Sequence, residues 1–203
     1  MRIQAAWAAF GLLLCLALLK PLSGDLAFLA AFAYQIYVPG WIRPMDSPLA
    51  FLNTVDLRSF KFVLWLAFIT FSLYGGFYFL AQTGWASRAG YQTAFFPAKP
   101  NTAMLWSFCV QFLFVALAEE YFYRGFLQKI WGGLSGVLCV NAAFALGHFI
   151  GEYDPVRLLP FFPGLLFSWI YHRSGSLFAV TLFHALCNSY SEWLAASFHW
   201  SPK

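Results

Sequence analysis

The sequence predicts an all-α fold: a polytopic transmembrane helical bundle of about seven helices, within a range of six to eight. Three observations predict it. Of the 203 residues, 61% are hydrophobic and 22% aromatic. Only 10% are charged, against about 25% in soluble domains, so no polar shell can surround a core of this size. Finally, apolar runs recur along the whole chain, broken by Pro, Gly and charged clusters, and about 20 such residues suffice to cross a bilayer.

The elements follow in order. The first span covers residues 5–19. Arg2 precedes it and Lys20-Pro21 follows without a small-x-small cleavage site, which favours a retained helix over a removed signal peptide. The second span, 25–38, is short and ends at Pro39-Gly40. The third covers 60–82. The fourth, 101–129, is entered through Pro100-Asn101, a helix-start signal. The fifth, 133–150, opens with Gly132-Gly133-x-x-Gly136, a spacing of small residues that suits close backbone packing. The sixth, 156–171, is interrupted by Pro160 and Pro163, and the seventh covers 176–198. The second and sixth are expected to tilt, kink or re-enter.

Two longer connections remain. Residues 40–59 hold Arg43, Asp46, Asp56 and Arg58. Residues 84–100 hold Arg88, Phe95, Phe96 and Lys99, a mixture suited either to the headgroup level or to an ordinary loop. Cations on alternate sides of the spans divide six to five, which slightly favours a cytoplasmic N-terminus. The formal charge of +4 is spread along the chain. Without a basic block or basic-aromatic interleaving, no nucleic-acid partner is expected. Cys15, Cys109, Cys139 and Cys187 fit no zinc or disulfide spacing and read as small buried hydrophobes.

Against this apolar background a few polar side chains stand out, because ionisable groups inside spans are costly and tend to face a cavity or one another. Glu119, Glu120 and Arg124 lie on the fourth span. Asn141 and His148 lie on the fifth, and His184 and Asn188 on the seventh. Glu192 falls near the exit of that span, where an interfacial position would explain it. Glu120 and Arg124 are four residues apart, carboxylate first, the favourable order for a helical ion pair. Glu119 is rotated about 100° away, so the two glutamates cannot share a task. Ser107, Gln111 and Glu119 recur at multiples of four and suggest a polar stripe leading to Glu119. His184 and Asn188 share a face, as do Asn141 and His148. Gly147 beside His148 leaves room for close approach. A carboxylate, two histidines and an amide on three helices suit activation of water and stabilisation of an oxyanion. Taken singly, each of these groups has an equally good reading as an interhelical hydrogen bond or packing device.

Jointly they resemble a known family. Glu119-Glu120-x-x-x-Arg124, Phe144-x-x-x-His148 and His184-x-x-x-Asn188 resemble, in order, the three motifs of the CAAX prenyl proteases and bacteriocin-processing enzymes, the CPBP or Abi intramembrane proteases. The segment from Phe162 to Leu177 is similar to the stretch before the third motif. The resemblance covers residues 101–195, a motif-bearing core within a single membrane-embedded domain of residues 1–203. Residues 1–100, the N-terminal helices and loops, resemble nothing specific.

The resemblance implies a glutamic-type intramembrane endopeptidase. Glu119 is then the base that activates water, His148 its partner, and His184 with Asn188 the oxyanion donors, while Glu120 and Arg124 support the site. The implied partners are membrane lipid and a peptide or protein with a hydrophobic or lipidated tail, cleaved near its C-terminus. A compact chain of this kind points to a multi-pass protein of a prokaryotic cytoplasmic membrane. No cofactor or metal is expected. The rivals are a Zn²⁺ protease built on Glu119, His148 and His184, which lacks an H-E-x-x-H motif; a cysteine protease using Cys187 beside His184; and a non-enzymatic membrane scaffold, immunity protein or transporter.

Overall fold

The computed structural model describes residues 1–46 and 55–202. Residues 47–54, part of the connection expected at 40–59, lie outside the described residues. Among the described residues the chain folds into seven long helices and one short β-ribbon. The helices are α1 (Arg2–Leu19), α2 (Gly24–Ile42), α3 (Leu57–Arg88), α4 (Thr102–Trp131), α5 (Gly133–Glu152), α6 (Phe161–Ser174) and α7 (Leu177–Ser197).

Local chemistry sets most of the helix ends. Ser23, Asp56, Asn101 and Ser176 each accept a hydrogen bond from a backbone N–H three residues on, satisfying a donor that the first turn would otherwise leave bare. Gly132, Gly133 and Gly175 close helices or reverse the chain with φ near +60°, a conformation that costs glycine nothing. Gly136 packs against the last turn of α4, with Trp131 atoms 2.9 Å from where its Cβ would be. The glycine run therefore serves the tight α4–α5 corner. Pro160 and Pro163 do not interrupt a helix. Pro160 caps α6 and Pro163 sits in its first turn, where a missing N–H removes no helical bond. The polypeptide expected at 156 as helix is instead a single 3₁₀ turn, Pro155–Leu158.

Four of the seven helices, α1, α3, α4 and α5, are long and apolar enough to cross a membrane. Among the described residues, four of the seven helices thus qualify as spans by length and composition alone. α6, with 14 residues, is about 21 Å long and shorter than the roughly 30 Å hydrocarbon layer. The outer faces are apolar: on α3 alone Trp65, Phe68, Leu73, Phe77 and Leu80 are each 70% or more exposed. In water that strip would exceed any ordinary surface patch; in lipid it is the matched surface. The chain is an integral membrane protein of the helical-bundle class.

The 84–100 segment is the main departure from expectation. α3 continues to Arg88, and Tyr91–Phe95 forms β1, paired antiparallel with β2 (Phe198–Pro202) from Tyr91↔Pro202 to Phe95↔Phe198. Trp193 donates its indole N–H to the Ala98 carbonyl at 2.9 Å, and Ser197 Oγ accepts from Ala98 N at 2.9 Å. The ribbon is thereby tied to α7. The cysteines also differ from the expected buried class. All four are free, three are half-buried, and Cys139 is exposed on the apolar exterior.

Candidate active site

The site is organised by α4, which is not a uniform α-helix. Gln111–Ala116 and Tyr121–Gln128 are π-helical, and they flank one α-helical turn, Leu117–Glu120, that carries both glutamates. The Leu117 N–H bonds to the Phe112 carbonyl, five residues back. Each such bond inserts about one extra residue into a turn, so the 3.6-residue register cannot run through the segment. This breaks the stripe expected from Ser107 through Gln111 to Glu119. Ser107 and Gln111 instead donate to the Glu192 carboxylate at 2.7 and 2.9 Å, while Glu119 turns toward α1, α2 and α5.

Glu120 and Arg124 are paired at 3.2 Å, and neither side chain is exposed at all. Burial of a guanidinium demands partners for its other N–H groups. Arg124 Nη2 donates to Asn141 Oδ1 at 3.0 Å and to the Gly164 carbonyl at 2.9 Å. Its carbon lies 4.8 Å from the centre of the Phe144 ring and 5.4 Å from that of Phe167, close enough for cation–π attraction. Asn141 completes the lattice by donating to Ser168 Oγ at 2.9 Å. This knot joins α4, α5 and α6. It also separates Asn141 from His148, which the sequence placed on one face: Asn141 serves the arginine, and His148 faces the cavity.

Gly164 is required here, because any Cβ would run into Asn141 Oδ1 and approach Arg124 Nη2 to 3.3 Å. Phe144 is equally central. Its ring centre is 4.6 Å from that of His148 and 5.9 Å from that of His184, so it spaces the two imidazoles and the guanidinium.

Glu119 keeps 17% of its side chain exposed. With His148, Gly147 and Tyr123 it lines a cavity of about 200 Å³, whose far wall is built by Leu16 and Lys20 at the end of α1 and by Ala27, Ala31 and Gln35 of α2. His148 Nδ1 lies 3.0 Å from the Phe144 carbonyl. A carbonyl only accepts, so Nδ1 carries the proton and Nε2 is left as the basic nitrogen. His184 reaches both glutamates: Nδ1 is 2.8 Å from Glu120 Oε1, and Nε2 is 3.7 Å from Glu119 Oε2. Its ring stacks on Phe167 with centroids 4.5 Å apart. Among the described residues, Glu119 Oε2 is buried without a hydrogen-bond partner.

Asn188 stands apart from the cavity wall. Its amide donates to Gln111 Oε1 at 3.0 Å, which extends the chain Ser107–Glu192–Gln111–Asn188 along α4 and α7. The structure thus brings Glu119, His148 and His184 together, with Glu120 and Arg124 behind them, and sets Asn188 one turn beyond His184. Among the described residues, no group of three or more His, Cys, Asp or Glu side chains sits at metal-binding spacing.

Three polar lining residues, Tyr123, Gln35 and Lys20, escaped the sequence reading. Tyr123 follows Glu119 by four, the spacing that paired Glu120 with Arg124, so that signal was present. Gln35 was visible as an amide inside an apolar run. Lys20 carried no signal, because a lysine after a membrane helix is ordinary.

Residues 101–190 match the family model described as type II CAAX prenyl endopeptidase, Rce1-like, a family of proteases. The matched segment starts at the cap of α4 and ends in α7. It contains Glu119, Glu120, Arg124, Phe144, His148, His184 and Asn188, whereas the α1 and α2 walls of the cavity lie outside it. No curated protein and no solved structure matches the chain.

Proposed function

We propose that this chain, whose residues 101–190 are of the Rce1-like, CAAX-protease type, is a glutamic-type intramembrane endopeptidase. It cleaves near the C-terminal tail of a hydrophobic or lipid-tethered protein in the membrane. Glu119 takes a proton from water, the hydroxide oxygen attacks the scissile carbonyl carbon, and the C–N bond breaks as the leaving amine receives a proton. His148, basic at Nε2, shares that proton traffic. His184, with Nδ1–H given to Glu120, offers Nε2–H to the oxyanion when the ring is protonated. Asn188 retains a second amide N–H beyond the one given to Gln111. Glu120 and Arg124 hold His184 and α4 in place and do not touch substrate.

One observation carries this reading. A carboxylate with an oxygen unpartnered among the described residues stands on the wall of a half-open cavity that it shares with a histidine whose tautomer is set by a backbone carbonyl, and a second histidine lies 3.7 Å away. Unsatisfied polar atoms are rare in folded proteins and gather where chemistry needs them.

Mass spectrometry of membrane-protein C-termini in cells carrying wild type or Glu119→Gln tests it. Uncut tails are expected to accumulate with the variant. Identical C-termini in both strains, with the variant folded and expressed, would refute the assignment.

A further inference from the structure

Tyr123 brings a hydroxyl without a partner to the wall that carries Glu119. The residue is 3% exposed and lines the cavity four positions on from the glutamate. Its ring is held edge to face by Phe122 and by Phe144, with centroids 5.2 Å apart in both pairs. The hydroxyl comes to rest over Gly147, 3.3 Å from where a Cβ would be, so the glycine before His148 leaves it room. Among the described residues no donor or acceptor pairs with that oxygen. Buried tyrosines usually find a partner for the O–H, and others in this chain do. Tyr34, Tyr121 and Tyr190 donate to the carbonyls of Ala8, Asp46 and Phe71, each at 3.0 Å.

The proposed reaction needs such a donor. As hydroxide adds to the scissile carbonyl, charge develops on the carbonyl oxygen, and a donor already in place there lowers the barrier. His184 offers Nε2–H to that oxygen only when its ring is protonated, because Nδ1 is given to Glu120. Asn188 bonds to Gln111 and stands beyond the cavity wall. A phenol is neutral and keeps its proton at physiological pH, so it donates without first being charged. The geometry points to Tyr123 as a further catalytic residue, whose hydroxyl donates a hydrogen bond to the carbonyl oxygen while Glu119 delivers the water oxygen to the carbonyl carbon. The phenol keeps its proton throughout, so it relieves developing charge and transfers nothing. This role deepens the protease reading and rests on it.

The ring also has an ordinary role, filling the space between Phe122 and Phe144. Packing of that kind needs no hydroxyl, so Tyr123→Phe separates the two roles. The probe is the membrane-protein tail left uncut in Glu119→Gln cells, made as a quenched fluorescent peptide. Its kcat and KM are measured with purified full-length wild type, Glu119→Gln and Tyr123→Phe in detergent. With Tyr123→Phe, kcat is expected to fall about a hundredfold, the scale of one oxyanion donor, with KM changed by less than about twofold. The melting temperature is expected to be unchanged, since the hydroxyl gives up no protein partner among the described residues and the ring keeps its contacts.

Full kcat in Tyr123→Phe, with Glu119→Gln inactive, overturns the assignment and leaves the protease reading standing. So does a change confined to KM, which would make the hydroxyl a contact to the bound substrate alone. A fall in melting temperature that parallels the fall in kcat overturns it as well, because the hydroxyl would then belong to the packing. Tails processed alike by wild type and Glu119→Gln refute the protease reading itself, and the donor role falls with it.

Discussion

His184 Nε2 lies 3.7 Å from Glu119 Oε2, while the other nitrogen of the same ring is 2.8 Å from Glu120 Oε1. One imidazole therefore ties the buried glutamate to the cavity glutamate. The two carboxylates are neighbours in sequence with opposite surroundings. Glu120 has no exposure and a guanidinium partner, and Glu119 has 17% exposure on the cavity wall; among the described residues each keeps one oxygen, Oε2, without a hydrogen-bond partner.

This asymmetry predicts different consequences for the same truncation. Glu120→Ala leaves Arg124 buried without its counter-charge, a loss of about 3–5 kcal/mol for a buried pair, and frees His184. It is expected to lower the melting temperature and the membrane yield sharply. Glu119→Gln removes a proton acceptor while keeping the side chain's shape and leaving the Glu120–Arg124 pair intact, so thermal unfolding is expected to match wild type while cleavage is lost. Thermal denaturation in detergent beside a cleavage assay reads both, and equal melting losses in the two variants would refute the division of labour.

The Arg124 knot makes a second prediction at a residue with no polar side chain. Gly164→Ala sets a methyl against Asn141 Oδ1 and within 3.3 Å of Arg124 Nη2. Either the Asn141 bond or the Gly164 carbonyl bond must lengthen. A loss of about 1–3 kcal/mol is expected from overpacking and one weakened buried bond. Alanine at Gly76, which has nothing within 4 Å, is the control and should leave the melting temperature within about 0.5 kcal/mol of wild type.

Most of this site was legible because helical spacing is a local property. The pairing of Glu120 with Arg124 and the separate direction of Glu119 both follow from residues one turn apart. Longer-range inference failed where the backbone departed from 3.6 residues per turn. The π-helical turn at Gln111–Ala116 lies between Gln111 and Glu119, and no residue in Q-F-L-F-V-A announces it. The cavity wall failed for another reason. α1 and α2 contribute through shape, with Ala27 and Ala31 leaving space, and small apolar residues in a membrane helix look alike whether they face lipid or a void. The ribbon was hidden by distance, since Tyr91–Phe95 finds its partner more than a hundred residues away.

Metal dependence has a direct test. Glu119, His148 and His184 were the candidate zinc set. In the fold His184 Nδ1 bonds to Glu120 and His148 Nδ1 to a backbone carbonyl, which leaves each Nε2 free, but among the described residues the two histidines and Glu119 do not form a group that could hold a metal ion. Cleavage by purified protein is expected to survive prolonged dialysis against EDTA and phenanthroline. Loss of activity that returns on adding Zn²⁺ would restore the metalloprotease reading.

The last prediction concerns Asn188, a motif residue set one turn beyond His184 and away from the cavity wall. The Glu192 carboxylate can only accept, and it accepts from Gln111 Nε2 at 2.9 Å. Gln111 must then present its carbonyl to Asn188, whose amide donates to it at 3.0 Å. A charge near the end of α7 thus dictates which way two successive side-chain amides point. With Glu192→Gln the partner can donate as well as accept, so Gln111 can rotate by 180° and the Asn188 amide loses its fixed direction. On the proposed mechanism Asn188 helps only the oxyanion. The expected result is therefore a kcat lowered about tenfold with KM little changed, since a transition-state donor is disturbed rather than substrate binding. Glu192 is exposed, so its substitution should not shift the melting temperature. Gln111→Leu breaks the same chain without altering charge and should reproduce the kcat loss. A change confined to KM in both variants, or full activity in Gln111→Leu, would show that the orientation of Asn188 does not matter to the reaction.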